Sequence, residues 1–319
     1  MPARRIPIRL LDPVGDALRA RRPVVALESS VLAQGLPIPA NREAATRMRR
    51  AIESRGAVPA IAAVVRGVAA LGLEDDELER FLRRDGVRKV SARDLAPAIA
   101  AGADGATTVA GALALVTLAG IRVFATGGIG GVHHEPDHDE SGDLAELARA
   151  PVVVVCAGAK SILDLPATLE RLDSYGVTVV GYRTGTMPGF FTSDTGLPLS
   201  ARVDTVGEIA AIFAASLALG RPGAVLVMQP PPAAFALPAE VVARAVDEAR
   251  ARARAGGVRG SAVTPFLLAA VEAATGGRTL GANLALLEEN AVLAAEIAGA
   301  LAALGTGETK SGRGRVMSR

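Results

Sequence analysis

The fold of this chain is decided by the stretch PVVVVCAGAKSILDLP, residues Pro151–Pro166. Its first half is a continuous run of valines, which is typical of a β-strand buried on both faces of a parallel sheet. Small residues then lead to Lys160, and the residues from Ser161 onward have the composition of a helix. A buried strand followed by a loop and a helix is the repeating unit of an α/β fold.

The same pattern recurs along the chain. Besides 152–156, apolar runs predict strands at 24–27, 58–65, 87–90, 123–126, 177–182 and 224–228. Helices are predicted at 41–55, with Asn41 as the N-cap, and at 74–84, 95–101, 109–118, 143–150, 161–175, 206–219, 238–255, 264–274 and 281–304. We therefore expect a three-layer α/β/α fold with a central, largely parallel or mixed sheet.

Length and composition predict one large domain. The chain has 319 residues, of which 50% are hydrophobic and only 3% aromatic, so alanine, valine and leucine must fill the core. We expect a loose lead-in over residues 1–20, with a disordered basic tip at Arg4, Arg5 and Arg9. A single α/β/α catalytic domain is expected over residues 21–304, and a disordered basic tail over residues 305–319.

Charge and cysteine content argue against several classes of protein. The formal net charge is +2, and the arginines are scattered without interleaved aromatic residues, so we predict no nucleic-acid binding. The sequence has no signal-peptide core and no uninterrupted apolar run of about 18 residues, so we predict no membrane span. The one cysteine, Cys156, cannot form an internal disulfide and is predicted to be a buried core residue. A cytoplasmic location is therefore expected.

Lys160 is the strongest candidate for covalent chemistry. Of the 35 basic residues only Lys89, Lys160 and Lys310 are lysines, and the rest are arginines. Arginine cannot serve as an amine nucleophile, whereas the ε-amine of lysine can add to an aldehyde and form a Schiff base. A lysine at a strand end in an arginine-dominated chain therefore indicates covalent catalysis. The alternative is a lysine whose amine merely reaches solvent at a helix N-terminus.

Several polar segments follow predicted strands, as Lys160 does. They are Glu28, the glycine-dense segment from Gly127 to His134, and Arg183–Gly185. Because ligands of open α/β sheets gather at the carboxyl ends of strands, these segments are expected to lie near one site. Glu28 is a candidate general acid or base, and a structural ion pair is the alternative.

The segment FATGGIGGVHHEPDHDESGDL, residues 124–144, is the second strong signal. Its four glycines let backbone N–H groups approach an anion closely, and a flexible loop is the alternative. All three histidines, His133, His134 and His138, lie here beside Asp137 and Asp139. Their spacing fits zinc poorly and favours a carboxylate-led site for a hard divalent ion that keeps most of its waters. Simple solvation of the histidines is a further alternative.

Three other positions give weaker signals. Lys89 is a candidate for holding a phosphate as a point charge, or an ordinary surface lysine. Thr107 and Thr108 open a predicted helix, where amides and hydroxyls form an anion pocket, although helix capping explains them as well. Asn283 is either a partner for a flat polar group such as a base edge or a cap of the last helix.

Six stretches together resemble one known family. They are VALESSVLAQGLPIPAN, KVSARDLAPAIAAGADGATTVAGAL, VFATGGIGGVHH, VVVVCAGAKSILDLPATLE, TPFLLAAV and GANLALLEENAVLAAEIA. From about residue 20 to residue 304 the chain resembles the pseudouridine-5′-phosphate glycosidases, also called the indigoidine synthase A-like family. The resemblance implies an α/β/α fold, a homotrimer, and reversible cleavage of pseudouridine 5′-phosphate to uracil and ribose 5-phosphate.

The resemblance also implies roles for individual residues. Lys160 matches the family's lysine nucleophile, Glu28 its glutamate acid, and Asp139 its ligand for a divalent metal, typically Mn²⁺. Contacts with the substrate are expected from the following residues: Lys89, Thr108, Val109, Ser141, Gly142, Asp143 and, near the base, Asn283. Where the family usually reads D-I-S-A-D, this chain has DESGD at residues 139–143, so Glu140 and Gly142 depart from the pattern.

Two other functions remain open at this stage. One is a Schiff-base lyase or aldolase that acts on another sugar phosphate with the same scaffold. The other is a phosphosugar-binding protein that keeps the pocket without catalysis.

Overall fold

One sheet of eleven strands forms the centre of the part of the chain that the computed structural model describes, residues 6–135 and 138–311. In chain order the strands are β1 (Arg9–Leu10), β2 (Val24–Leu27), β3 (Val58–Val65), β4 (Val68–Leu71), β5 (Arg88–Val90), β6 (Gly105–Thr107), β7 (Val123–Ala125), β8 (Val153–Cys156), β9 (Thr178–Tyr182), β10 (Arg202–Val203) and β11 (Val225–Met228). Arg4, Arg5, Asp137 and the tail from residue 312 lie outside the described residues.

The main body of the sheet is parallel. Seven strands follow one another in the order β3–β2–β7–β8–β11–β9–β10, and each neighbouring pair runs in the same direction. The second half of β3 pairs antiparallel with β4 and with β6, which makes the sheet mixed at this side. The predicted α/β class with a largely parallel or mixed sheet is therefore confirmed.

Helices flank this sheet. They are α1 (Asp12–Arg19), α2 (Ala40–Glu53), α3 (Asp75–Arg83), α4 (Leu95–Ala100), α5 (Val109–Ala119), α6 (Gly142–Leu147), α7 (Leu165–Ser174), α8 (Val206–Ala218), α9 (Ala239–Ala255), α10 (Val263–Ala274) and α11 (Arg278–Ser311). The long helix α11 packs against β2, β7 and β8 and contacts α2 and α8, whereas α5 packs against β2, β3 and β4.

The valine run predicted as a buried strand is the middle of the sheet. Strand β8 lies between β7 and β11, and its four residues are fully buried. Valine suits this position because its branched side chain packs well on a pleated surface that is covered on both faces.

The loose lead-in predicted for residues 1–20 is wrong, because most of this segment is folded. Strand β1 pairs with β4, and α1 contacts β2 and β3 and buries Val14 and Ala17 completely. A proline in the first turn of α1 is typical of a helix start. The helix has only eight residues, however, and its apolar pattern is too short to predict it. Arg9, assigned to a disordered tip, forms a two-pronged ion pair with Glu77 of α3, with both N···O distances 2.6 Å.

Three further predictions differ from the structure. Asn41 does not cap α2, because the helix begins at Ala40 and the Asn41 amide donates to the carbonyls of Leu32 and Leu82.

Helix α7 begins at Leu165 rather than Ser161, since the Asp164 carboxylate accepts the Ala167 N–H and caps the helix there. Strands β1, β4, β6 and β10, each of two to four residues, were not predicted.

The Arg9–Glu77 pair gives a stability prediction. Glu77→Ala removes the partner of Arg9 and also the carboxylate that accepts the Glu74 N–H at the start of α3. We expect the free energy of unfolding, measured by urea denaturation, to fall by about 2 kcal/mol. Glu79→Ala on the same helix, which breaks only exposed ion pairs, is the control and should change it much less. Equal losses for the two variants would contradict this account.

Candidate active site

Backbone pairing between the central strands continues beyond their ends and positions Lys160. After β7 and β8, the N–H of Ala157 donates to Gly127 O at 2.9 Å, and that of Ile129 donates to Gly158 O at 3.1 Å. The N–H of Lys160 then donates to Ile129 O at 3.1 Å. Lys160 is therefore fixed beside the glycine-dense segment, at the carboxyl edge of the sheet.

One pocket at this edge brings together four of the predicted site residues. Its walls include Lys160, Glu28, Lys89 and Asn283, which come from four separate parts of the chain. The other lining residues are Ser30, Val31, Gln34, Gly35, Thr126, Gly127, Gly128, Phe190, Thr264, Pro265 and Leu268. Of the segments predicted to converge at the strand ends, Glu28, the start of the glycine-dense segment and Lys160 line this pocket, whereas Arg183–Gly185 do not. The chemical roles of these residues stay predictions.

Two hydroxyl groups hold the Glu28 carboxylate. Thr126 Oγ1 donates to Glu28 Oε1 and Ser30 Oγ donates to Oε2, both at 2.5 Å. The carboxylate is buried, and within the described chain it accepts these hydroxyls rather than forming a salt bridge with an arginine or lysine. Asn290 fixes Thr126 in turn by donating to its carbonyl oxygen at 2.8 Å. Glu28 is thus held in one orientation by hydrogen bonds, and not by an ion pair within the described residues.

Lys89 shares this electrostatic environment. Desolvation lowers the pKa of the Lys89 amine, and the positive charge of Lys160 lowers it further. Glu28 and Asp143 act in the opposite direction on the same pKa. Lys89 is exposed, yet it lines the same pocket as Lys160 and Glu28, and its role in holding a phosphate stays a prediction.

The glycines of residues 127–131 are required by close packing. A Cβ atom at Gly128 would lie 2.6 Å from the ring of Phe190, and one at Gly130 would lie 2.3 Å from Ser141 Oγ. At Gly131 the same atom would lie 2.3 Å from Thr168 Oγ1. The segment is therefore packed on its neighbours, and the flexible-loop alternative is wrong.

Asp143 uses some of the amides that the sequence suggested for an anionic ligand. Its buried carboxylate accepts the N–H of Gly130 at 2.8 Å and the N–H of Ala110, in the first turn of α5, at 2.9 Å. The anion cradle predicted from the glycines is wrong at Gly130, because this carboxylate already occupies its amide. Asp143 links the glycine-dense segment to α5.

The residues that open α5 have structural partners. Thr107 is fully buried and donates to Ala62 O at 2.7 Å, so the anion-pocket interpretation of its hydroxyl is wrong. Thr108 is the N-cap of α5, and its hydroxyl accepts the Gly111 N–H at 3.4 Å. Val109 is fully buried at the first helical position. The capping alternative therefore describes Thr108, and contact of Thr108 or Val109 with substrate stays a prediction.

Ser141 and Gly142 lie at the start of α6, at the end of the hairpin that follows the glycine-dense segment. Ser141 caps α6 by accepting the Asp143 N–H at 3.2 Å. A Cβ atom at Gly142 would lie 3.2 Å from Ser91 Oγ, so this loop adjoins the one that follows Lys89. Glu140, which departs from the family pattern, pairs with Arg171 of α7. Glycine at 142 likewise leaves room beside Ser91.

The predicted metal ligand Asp139 lies on a short hairpin. Its carbonyl accepts the His133 N–H at 2.8 Å, which closes the hairpin. His134 Nδ1 lies 3.6 Å from Asp164 Oδ2, whereas burial lowers the pKa of His133 and the Asp139 carboxylate opposes that shift. A cleft of about 850 Å³, lined partly by His133, His138 and Asp139, opens beside this hairpin.

The side chains near Asp139 suit a hydrated hard divalent ion better than a zinc ion held by several protein ligands. Among residues 6–135 and 138–311, no three side chains of the ligand-forming types cluster closely enough to hold an ion, and Asp137 lies outside them. A zinc cage made by several protein ligands therefore does not form within the described part. A single carboxylate beside an open cleft fits a hard divalent ion that keeps several waters.

The buried cysteine is a core residue, as predicted. Cys156 ends β8 and is fully buried, and burial raises the pKa of its thiol to about 12. It therefore stays protonated and does not compete with Lys160 as a nucleophile.

Several pocket residues were missed in the sequence. Ser30 follows Glu28 and Thr126 precedes the glycine-dense segment, but neither residue belongs to a recognisable motif. Gln34 belongs to a π-helical turn, Val31–Gly35, which was predicted only as an irregular loop. Phe190 adopts a left-handed backbone conformation (φ 66°), and nothing in the local sequence announces its contact with Gly128.

Comparison with known proteins identifies the family. The family model described as indigoidine synthase A like protein matches residues 13–300. The chain belongs to this family. It is 59% identical to a protein of Gemmatimonas aurantiaca, over 94% of this chain and 98% of the relative, and 47% identical to one of Escherichia coli, over 91% and 94% respectively. Both relatives are named pseudouridine-5′-phosphate glycosidase.

Solved structures of similar proteins have the same fold. The prealnumycin C-glycosynthase AlnA, in complex with ribulose 5-phosphate, aligns with a TM-score of 0.88 and 38% identity. An indigoidine synthase A-like protein from Thermotoga maritima aligns with a TM-score of 0.86 and 34% identity. Each alignment covers 95% of this chain and 99% of the other. Within the described residues, no helix is long and apolar enough to cross a membrane.

Gly158, between β8 and Lys160, gives a prediction for this family member. Its φ is +89°, and a Cβ atom would lie 2.1 Å from Pro188 O. Gly158→Ala should therefore displace the loop that carries Lys160 and lower the free energy of unfolding by roughly 2–4 kcal/mol in urea denaturation.

Gly56→Ala is the matched control for this substitution. Its φ is +74° and nothing lies within 4 Å of the added Cβ, so only the conformational cost of about 1–2 kcal/mol is expected. If Gly158→Ala were no more destabilising than Gly56→Ala, the close approach to Pro188 would not constrain the loop.

Proposed function

We propose that this protein is a pseudouridine-5′-phosphate glycosidase, which reversibly cleaves the C–C glycosidic bond of pseudouridine 5′-phosphate to uracil and ribose 5-phosphate. The observation that carries the proposal is the pocket shared by Lys160, Glu28, Lys89 and Asn283, an amine, a carboxylate, a second cation and an amide. Relatives that carry this name are up to 59% identical over nearly the whole chain, which supports the same activity here.

The reaction needs an electron sink at the sugar carbon. In the cleavage direction, Lys160 Nζ adds to C1′ as the ring oxygen leaves with a proton, so that the pentose opens. The C1′–C5 bond then breaks with its electron pair moving to uracil C5, which takes up a proton. The nitrogen lone pair forms the C1′=N iminium, and water hydrolyses it to release ribose 5-phosphate and the free amine.

Glu28 is the group proposed to move the protons. In its protonated form Glu28 gives a proton to the ring oxygen. The resulting carboxylate then takes the proton that Lys160 Nζ loses after bonding to C1′, and passes it to C5 of the departing uracil. The hydrogen bonds from Ser30 and Thr126 support this role, because they fix both carboxylate oxygens before the substrate arrives. The carboxylate therefore needs no reorganisation at the moment of transfer.

The 5′-phosphate is assigned to the side of the pocket that carries Lys89. Its cationic side chain attracts the phosphate, and Ser141 with Gly142 lies across the adjoining loop near Ser91. Binding energy from this remote group can then hold C1′ against Lys160. Contacts from Thr108, Val109 and Asp143 belong to the same expectation.

A divalent ion, which we propose to be Mn²⁺, would be held by Asp139 and by waters in the cleft beside it. Bound there, it would offset the negative charge of the phosphate. His133 and Asp139 line this cleft together, and the positive charges of Lys160 and Lys89 lower the pKa of His133 after burial, which supports a site close to the pocket. Removal of the ion by a chelator should lower activity, and added Mn²⁺ should restore it.

The assembly is proposed from the family resemblance. We expect a homotrimer located in the cytoplasm, with uracil, ribose 5-phosphate and pseudouridine 5′-phosphate as its small-molecule partners. Exposed apolar side chains such as Ile38 and Phe235 are available for contacts between subunits. Light scattering coupled to size-exclusion chromatography measures the number of subunits.

A second candidate function follows from one relative. AlnA is described as a prealnumycin C-glycosynthase in complex with ribulose 5-phosphate, and it is 38% identical to this chain. A Schiff-base reaction that joins or splits another sugar phosphate would use the same pocket. Turnover of pseudouridine 5′-phosphate, compared with turnover of other pentose phosphates, separates the two functions. A protein that only binds phosphosugars would be stabilised against heat by ribose 5-phosphate without consuming uracil.

The activity prediction concerns the amine of Lys160. Lys160→Arg keeps the charge but removes the nucleophile, so consumption of uracil in the presence of ribose 5-phosphate and Mn²⁺ should fall roughly 10³-fold or more. The decrease in ultraviolet absorbance as uracil is consumed measures the rate.

Two matched lysine variants accompany this measurement. Lys89→Arg should raise KM for ribose 5-phosphate while leaving measurable turnover, because it alters the proposed phosphate contact and not the nucleophile. Lys310→Arg, the same change near the end of the chain, should behave as wild type. Full activity of Lys160→Arg would contradict the proposed function of Lys160.

A further inference from the structure

Gln34 has a buried acceptor that finds no partner within the described part of the chain. Its side-chain oxygen Oε1 is shielded from solvent, and no hydrogen-bond donor of the described residues reaches it. A buried carbonyl without a partner costs free energy, and such exceptions in a folded protein call for a reason. Gln34 also lines the pocket that holds Lys160 and Glu28.

The contact made by the side-chain nitrogen of Gln34 determines the orientation of its amide. Gln34 Nε2 lies 3.4 Å from the carbonyl oxygen of Val87, which can only accept a hydrogen bond. The nitrogen must therefore face Val87, and the oxygen is directed away from it. The residue sits in the π-helical turn Val31–Gly35, a local form that is frequent at functional sites.

Asn283 presents a second acceptor of the same kind. Its Oδ1 is buried and also lacks a hydrogen-bond partner among the described residues, and only 8% of the residue is exposed. This oxygen lies 3.5 Å from the position that a Cβ atom of Gly127 would take, in the wall of the same pocket. Two residues that line one pocket thus carry buried amide oxygens that have no N–H donor among the described residues.

We propose that Gln34 is a substrate-binding residue whose Oε1 accepts one ring N–H of the nucleobase while Asn283 Oδ1 accepts the other. The proposal rests on the function proposed above. A uracil joined to ribose through C5 keeps both N1–H and N3–H free, whereas a uracil joined through N1 keeps only N3–H. Two unpaired acceptors therefore match the C-linked isomer and leave one acceptor unpaired with the N-linked one.

Gln34→Met tests this assignment, because methionine has a similar length and no acceptor of comparable strength. In the synthetic direction, KM for uracil should rise roughly 10- to 100-fold, the loss expected for one buried hydrogen bond, while KM for ribose 5-phosphate stays unchanged. The thermal midpoint of the unliganded variant should change little, since the substitution removes a buried unpaired oxygen together with the long 3.4 Å hydrogen bond from Nε2 to Val87 O. A purely structural Gln34 would give the opposite pattern, with a lower midpoint and an unchanged KM for uracil.

Two uracil analogues identify the contact. In 1-deazauracil and 3-deazauracil a ring carbon replaces N1 or N3, so the N–H at that position is lost without added bulk and one carbonyl becomes a hydroxyl. Each is tested as a competitor of uracil. Both should bind wild type roughly 10-fold or more weakly than uracil. In Gln34→Met one of them should bind as it does to wild type, because its missing N–H is the one that Gln34 accepts.

The outcomes separate this inference from the proposed function. If wild type consumes uracil but Gln34→Met weakens uracil and both analogues equally, or weakens none of them, the assignment of Gln34 is overturned. If wild type consumes no uracil with ribose 5-phosphate, the proposed function fails first and the inference fails with it.

Discussion

The parallel pairing of β7 with β8, carried on into the loops that follow them, is the constraint on which the rest of the site depends. Because the backbone of residues 127–129 pairs with that of residues 157–160, the glycine-dense segment and Lys160 cannot move independently. The valines of β8 anchor this arrangement in the middle of the sheet, where they are fully buried. The buried strand β8 thus determines the position of Lys160.

Close backbone approach fixes the remaining geometry. Phe190, Ser141 and Thr168 pack against glycines at distances that no side chain would permit. The Asp143 carboxylate ties this segment to α5, and the hydroxyls of Ser30 and Thr126 orient Glu28 from two sides. The consequence is a preorganised pocket in which charged groups face one another across a small space, the arrangement that favours catalysis over simple binding.

The sequence predicted those parts of this structure that depend on local pattern. The long apolar runs gave β2, β3 and β8 to within a residue, and the strand-end position of Lys160 and Glu28 led to a shared site. What depends on distant contacts was not predictable. The segment around α1 was taken for a loose lead-in because its burial comes from β2 and β3, and Thr107 was taken for an anion ligand although Ala62 O occupies its hydroxyl. Gln34 was not singled out in the sequence, since the lack of a donor for its oxygen among the described residues is visible only in the fold.

The central claim is that the amine of Lys160 bonds covalently to the sugar carbon, and Lys89 is the alternative amine because its pKa is lowered in the same pocket. The most direct measurement is reduction with borohydride in the presence of ribose 5-phosphate, followed by mass spectrometry of the peptides. The account predicts one reduced pentose phosphate on the peptide that contains Lys160, and none in Lys160→Arg. An adduct on Lys89, or no adduct on an enzyme that consumes uracil, would contradict it.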